Sequence, residues 1–107
     1  MGKYASLITG NLDIFVIQNE DEFEGQIEKH LEILIHGDPK GLKSLAKLLL
    51  ELADTNQNDI AELPVGAREH IHLRPGHGLS KSSEPIIIGR LDAKGTGAFY
   101  ERYIPAT

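Results

Sequence analysis

Gly37-Asp38-Pro39-Lys40-Gly41-Leu42-Lys43-Ser44-Leu45-Ala46-Lys47-Leu48-Leu49-Leu50-Glu51-Leu52-Ala53-Asp54 decides the fold class. Asp38 is an N-cap residue, because its carboxylate can accept from the free amides of a first helical turn. Pro39 then takes the first helical position, where a missing N–H costs nothing. Leu42, Leu45, Ala46, Leu49, Leu52 and Ala53 recur at helical spacing and predict one apolar stripe. Lys40, Lys43, Lys47, Glu51 and Asp54 fall mostly on the other side. The spacing predicts an amphipathic helix over about 39–54, which needs a surface to cover.

The segments around it read as strands. Residues 4 to 9 and 12 to 18 are rich in β-branched and aromatic residues, and Gly10-Asn11 between them is a turn pair, so a β-hairpin is expected there. Asn19 to Gly25 reads as a solvated acidic connection; it lacks the regular oxygen ligands of a calcium loop. Leu31, Ile33 and Ile35 alternate with His30, Glu32, Leu34 and His36 and predict a strand over His30 to His36, stopping at Gly37. After the helix, Thr55 to Asp59 is polar, and Ile60 to Gly66 reads as an irregular, partner-contacting or mobile loop. Glu69 to Arg74 predicts a strand with Ile71 and Leu73 on one face and His70, His72 and Arg74 on the other. Ile86 to Leu91 reads as a buried central strand. Phe99, Tyr100, Tyr103 and Ile104 suggest a last short strand.

The order expected is therefore βββαββ(β): a single α+β domain, residues 1–107, with a mainly antiparallel sheet of five to six strands and the helix on one face. A chain of 107 residues suits one modest core. With no cysteine, disulfides and thiolate metal sites are excluded. No apolar run reaches the ~18 residues of a membrane span, and the N-terminus lacks the apolar core of a signal peptide; the cytoplasm is the expected location. The net charge of −5 with no basic face argues against nucleic-acid binding. It suits a basic protein partner, or simply solubility.

Candidate chemistry is incomplete wherever it is looked for. His70-x-His72 places two imidazoles on one strand face, with His77 close behind and His36 at the end of another strand, so these residues are candidate metal ligands. A cupin-like site needs a carboxylate soon after the pair, and Leu73-Arg74-Pro75-Gly76 supplies none. A histidine-triad hydrolase needs a third alternating histidine, and Arg74 stands in its place. Gly95-Thr96-Gly97 lacks the following helix of a phosphate loop and reads as a turn. Ser80, Ser82 and Ser83 lack a nucleophile elbow and read as solvated loop serines. Tyr100, Arg102 and Tyr103 are residue types enriched at interface hot spots and are candidate partner contacts. No cofactor is implied.

The strand Leu31-Glu32-Ile33, the helix start Gly37-Asp38-Pro39-Lys40-Gly41-Leu42, the strand His70-Ile71-His72-Leu73 and the run Ser83-Glu84-Pro85-Ile86-Ile87-Ile88 together resemble the Imm32-type immunity proteins of bacterial polymorphic toxin systems. The resemblance covers about residues 30 to 90. Pro85 departs from it, standing where another acidic or apolar residue is expected. The resemblance implies a non-enzymatic cytoplasmic protein that binds and neutralises a cognate toxin, and it carries over no catalytic residue. Two other readings stand beside it. One is a metal-binding protein or small metal-dependent enzyme built on the histidines. The other is a homodimer formed through an uncovered sheet face or edge.

Overall fold

The computed structural model describes residues 7–107, and their order is ββαβββ. β1 spans Leu12–Phe23, β2 Gln26–Gly37, α1 Pro39–Asp54, β3 His70–Pro75, β4 Gly78–Leu79 and β5 Ile86–Gly89. The expected α+β class with one helix holds. The strands form two sheets rather than one: a β1–β2 hairpin, and a mixed three-stranded sheet in the order β4-β3-β5. Among the described residues no helix is long and apolar enough to cross a membrane.

The helix starts as its sequence dictates. Asp38 Oδ1 accepts from the Gly41 amide at 2.8 Å, and Pro39 follows at the first position. Asp38 also accepts from the Asn11 side chain at 2.7 Å and the Asn11 amide at 3.1 Å. These hydrogen bonds, the Asn11 side chain first, hold its carboxyl below the usual carboxylate range. A group lowered in this way stabilises the fold above its unfolded pKa of about 4, and that contribution is lost as pH falls through the lower folded value. Asp38→Ala should therefore lower the melting temperature by several degrees at neutral pH. The gap to wild type should narrow as pH falls below the unfolded value, a trend that a pH series of thermal melts would show.

The buried face of α1 is rotated from the stripe read in sequence. Gly41, Ser44, Leu45, Leu48 and Leu52 are buried. Leu42, Ala46, Leu49 and Ala53 stay exposed. The small residues decide this, because the segment before β1 lies directly on them. Ser44 Oγ accepts from the Thr9 amide at 3.1 Å and lies 3.0 Å from the Thr9 carbonyl. The apolar arc of α1 is thus wider than the arc its own core uses.

The core joins both sheets to the helix. Leu12 and Ile14 of β1 meet Leu45, Leu48 and Leu52 of α1 and Ile71, Leu73 and Leu79 of the second sheet. The sheets are stitched together at the base of β1. The Ser80 amide donates to the Leu12 carbonyl at 2.9 Å, and the Glu84 amide to the Ile14 carbonyl at 2.7 Å. Ser83 is buried there; its Oγ accepts from the Ile14 amide at 3.0 Å. Ser80 and Ser82 donate to the Asp13 carboxylate. The three serines are therefore structural ties, not the solvated loop that their composition suggested.

Several other expectations are corrected. The first arm of the expected hairpin, residues 4 to 9, begins outside the described residues, and residues 7 to 9 are not strand. The hairpin is instead β1–β2, twelve unbroken pairs from Leu12↔Gly37 to Phe23↔Gln26. Its turn is Glu24-Gly25, both at positive φ (52° and 80°), inside the stretch that read as a solvated loop. β5 is an edge strand and not a buried central one; Ile87 is 65% exposed. Phe99 to Ile104 forms turns instead of a strand. Gln57, in the polar run after the helix, is buried. It accepts from the Glu69 amide at 2.7 Å and donates to the Asp92 carbonyl at 3.0 Å. The Ile60 to Gly66 loop is tied down, since Lys94 Nζ donates to the carbonyls of Ile60 and Leu63.

Candidate functional site: the open face of the second sheet

Alternation along β3 builds this face. Ile71 and Leu73 point into the core, so His70, His72 and Arg74 point away from it. β5 runs antiparallel with His70 opposite Gly89 and His72 opposite Ile87. The two imidazole rings meet edge to face, 4.9 Å apart. His70 Nδ1 lies 3.0 Å from the Arg68 carbonyl, which can only accept, so Nδ1 carries a proton and Nε2 faces outward. Arg68 extends the same alternation one step before His70.

Arg68 is what brings the C-terminal segment to this face. Its guanidinium donates to the carbonyls of Leu91 and Ala98, both at 2.7 Å, and lies 3.9 Å over the centre of the Tyr100 ring. The stacking is a cation–π contact. Tyr103 packs edge-on against Phe99, ring centres 5.4 Å apart. A shallow groove results, lined by Arg68, His70, Ile87, Arg90, Tyr100 and Arg102. A second groove continues it past His72, Arg74, His77 and Pro85.

The structure thus unites two groups that sequence reading kept apart, the β3 histidines and the Tyr100/Arg102 pair. His77 sits beyond Arg74 in the turn to β4, on the wall of the second groove. His36 does not join them; it lies on β2, its ring edge-on to Phe15 at 5.0 Å. Among the described residues, no three His, Cys, Asp or Glu side chains are grouped so as to hold a metal ion. Sequence reading missed Arg68, although its position two residues before His70 signals the shared face.

Charge is separated across the molecule. The hairpin from Asn19 to Glu32 carries six carboxylates (Glu20, Asp21, Glu22, Glu24, Glu28 and Glu32) against Lys29, a balance equal to the whole net charge of −5. The first groove is lined by arginines and by no carboxylate. The molecule therefore offers a groove lined by arginine and tyrosine at one place, with Arg90 paired to Asp92, and an acidic arm at another.

The family model for immunity protein 32 matches residues 32–91 of the chain. No curated protein and no solved structure matches it.

Proposed function

The chain belongs to the immunity protein 32 family, and from that premise we propose that it neutralises a cognate toxin by stoichiometric binding, through the open β3–β5 face. The observation that carries the reading is the exposed meeting of Arg68, His70, Tyr100 and Arg102 in one groove. Arginine and tyrosine dominate interface hot spots because each combines large contact area with directional polar groups. Here Tyr100 is already positioned by the Arg68 guanidinium, so little side-chain freedom remains to be lost on binding. The arginine lining favours an acidic segment of the toxin. No chemical step is assigned to the chain, because a neutralising protein needs only to occupy its target.

The test is binding to a toxin sought among the products of the genes adjacent to this chain's own. Calorimetry should give a fixed stoichiometry. The double variant Tyr100→Ala/Arg102→Glu should bind at least tenfold more weakly, about 1.4 kcal/mol, with an unchanged circular dichroism spectrum. It should also fail to protect cells that express the toxin. Full binding by the double variant would remove this face from the mechanism. Protection at well below one chain per toxin would point to turnover and sink the stoichiometric reading.

A further inference from the structure

We infer that two copies of this chain pair edge to edge through β2, with Leu31 opposite Leu31 at a two-fold axis and each hairpin tip tucked beneath the other copy's helix. The first observation is that β2 ends its sheet. The two-residue turn at Glu24-Gly25 makes Phe23↔Gln26 a hydrogen-bonded pair, so bonding to β1 uses the even-numbered residues of β2. The amides and carbonyls of Ile27, Lys29, Leu31, Ile33 and Ile35 then face the outer edge. On β1 the same rule turns Leu12 and Ile14 outward, and those are the residues that bond to Ser80, Ser83 and Glu84. The edge of β1 is thus occupied at its base, whereas no described residue bonds to the outward backbone groups of β2 from Ile27 to Ile35.

Folded proteins protect such edges with prolines, bulges or inward charges. β2 has no proline and no bulge over twelve paired residues, and Lys29 is the one charge on that side chain row. The row shares its face with Val16 and is continuous with the core at Leu12 and Ile14. An isolated two-stranded hairpin is marginal in water. This one projects: the radius of gyration is 17.0 Å, against about 13 Å for a compact chain of this length.

Register selects the occupant. Residues on one face must meet residues on the same face, and antiparallel pairing about Leu31 places Ile27 opposite Ile35 and Lys29 opposite Ile33. On the other face His30 meets Glu32, and Glu28 meets Leu34. A shift of two residues in pairing sum either way sets Glu28 against Glu32 or Glu32 against itself, a like-charge contact across strands. The Leu31 register alone of the three avoids this. It also holds the two acidic tips about 40 Å apart, at 3.4 Å per residue.

Two-fold pairing of this kind keeps the same face of both hairpins on one side, the side that carries the helices. Each tip then lies beside the partner copy's Ile35 and Gly37. A side-chain carbon at Gly37 would stand 3.0 Å from Leu42, so the exposed stripe of Leu42, Ala46 and Leu49 begins at that point. Ile27, near each tip, covers the start of that stripe, which the chain's own core leaves open, while Leu31 meets its counterpart at the axis. Val16, Ile27, Leu31, Ile33, Ile35, Leu42 and Leu49 are each 39–71% exposed. They are the apolar side chains that this pairing would take from water, where a standard interface takes ~800 Å² from each partner.

Light scattering coupled to size-exclusion chromatography should find a dimer. The chain has no cysteine, so Leu31→Cys tests the register: residues facing each other at a hydrogen-bonded pair are about 5.5 Å apart at Cα, within disulfide range. It should oxidise to a covalent dimer, whereas Ile33→Cys, opposite Lys29, should not. Ile33→Pro removes only an outward amide and should yield a monomer with an unchanged circular dichroism spectrum. A wild-type monomer at the highest concentration reached overturns the inference. So does a dimer that ignores Ile33→Pro and fails to cross-link at Leu31. A monomer that loses toxin binding on Ile33→Pro would overturn it in favour of a toxin strand on the same edge.

Discussion

Replacing Gly41 with alanine should destabilise the fold by about 3 kcal/mol, although the same change in a solvent-exposed helix stabilises by about 1 kcal/mol. The reversal comes from what lies against Gly41. An added Cβ would stand 2.0 Å from the Asn11 carbonyl oxygen, 2.7 Å from its carbon and 3.1 Å from the Asn11 nitrogen. These are backbone atoms, so no rotamer change relieves the overlap. Asn11 cannot retreat either. Its amide and side chain donate to Asp38, and its carbonyl accepts from the Asp38 amide at 3.1 Å. To make room, the helix must lift from Asn11, which breaks the cap and draws Leu12 out of the core. Urea unfolding of Gly41→Ala, beside the exposed control Lys47→Gly, measures this. The control should lose about 1 kcal/mol. Unchanged or raised stability of Gly41→Ala would mean that the helix does not rest on Asn11 in solution.

Gly41 also shows how far local reading reaches. The helix limits were legible because Asp38 and Pro39 are local signals, and the observed helix is Pro39–Asp54. Which face it buries was not legible. Leucine spacing marked a stripe through Leu42 and Leu49, whereas Gly41 and Ser44 mark the contact, and their smallness has meaning only once Asn11 and Thr9 are known to lie there. β3 was legible from its alternation. The distal hairpin was not, because Asn19 to Glu22 has the composition of a loop. Its strand character comes from cross-strand partners, such as Lys29 beside Glu20 and His30 beside Asp21. The turn did leave a signal: glycine follows Glu24 between two alternating stretches. For the candidate site, alternation placed His70 and His72 on one face, and residue type flagged Tyr100 and Arg102. Their union depends on Arg68 reaching Ala98, thirty residues away, which no spacing rule reveals.

Arg90→Ala should cost about 2 to 3 kcal/mol, in keeping with the loss of hydrogen bonds to a charged group. The last turn of α1 carries no basic residue to meet its free carbonyls. Arg90, just past β5, does this from across the fold: Nη1 donates to Leu52 at 3.1 Å and to Thr55 at 2.7 Å. Its other two nitrogens grip both oxygens of Asp92 at 2.8 Å. The planar fork is required, because a lysine ammonium cannot present both sets of donors in fixed directions. Arg90→Lys should therefore recover less than half of the loss. Arg90 also holds the Asp92 carboxyl below the usual carboxylate range. By the same sign as for Asp38, that contribution is present above the unfolded pKa of about 4 and disappears as pH falls through the folded value. The Arg90→Ala stability profile should accordingly be flatter than wild type on the acid side. Because Arg90 also lines the proposed toxin groove, the flattening separates its two roles. A variant that binds toxin poorly yet keeps the wild-type acid profile would show that Arg90 serves the interface and not the helix end.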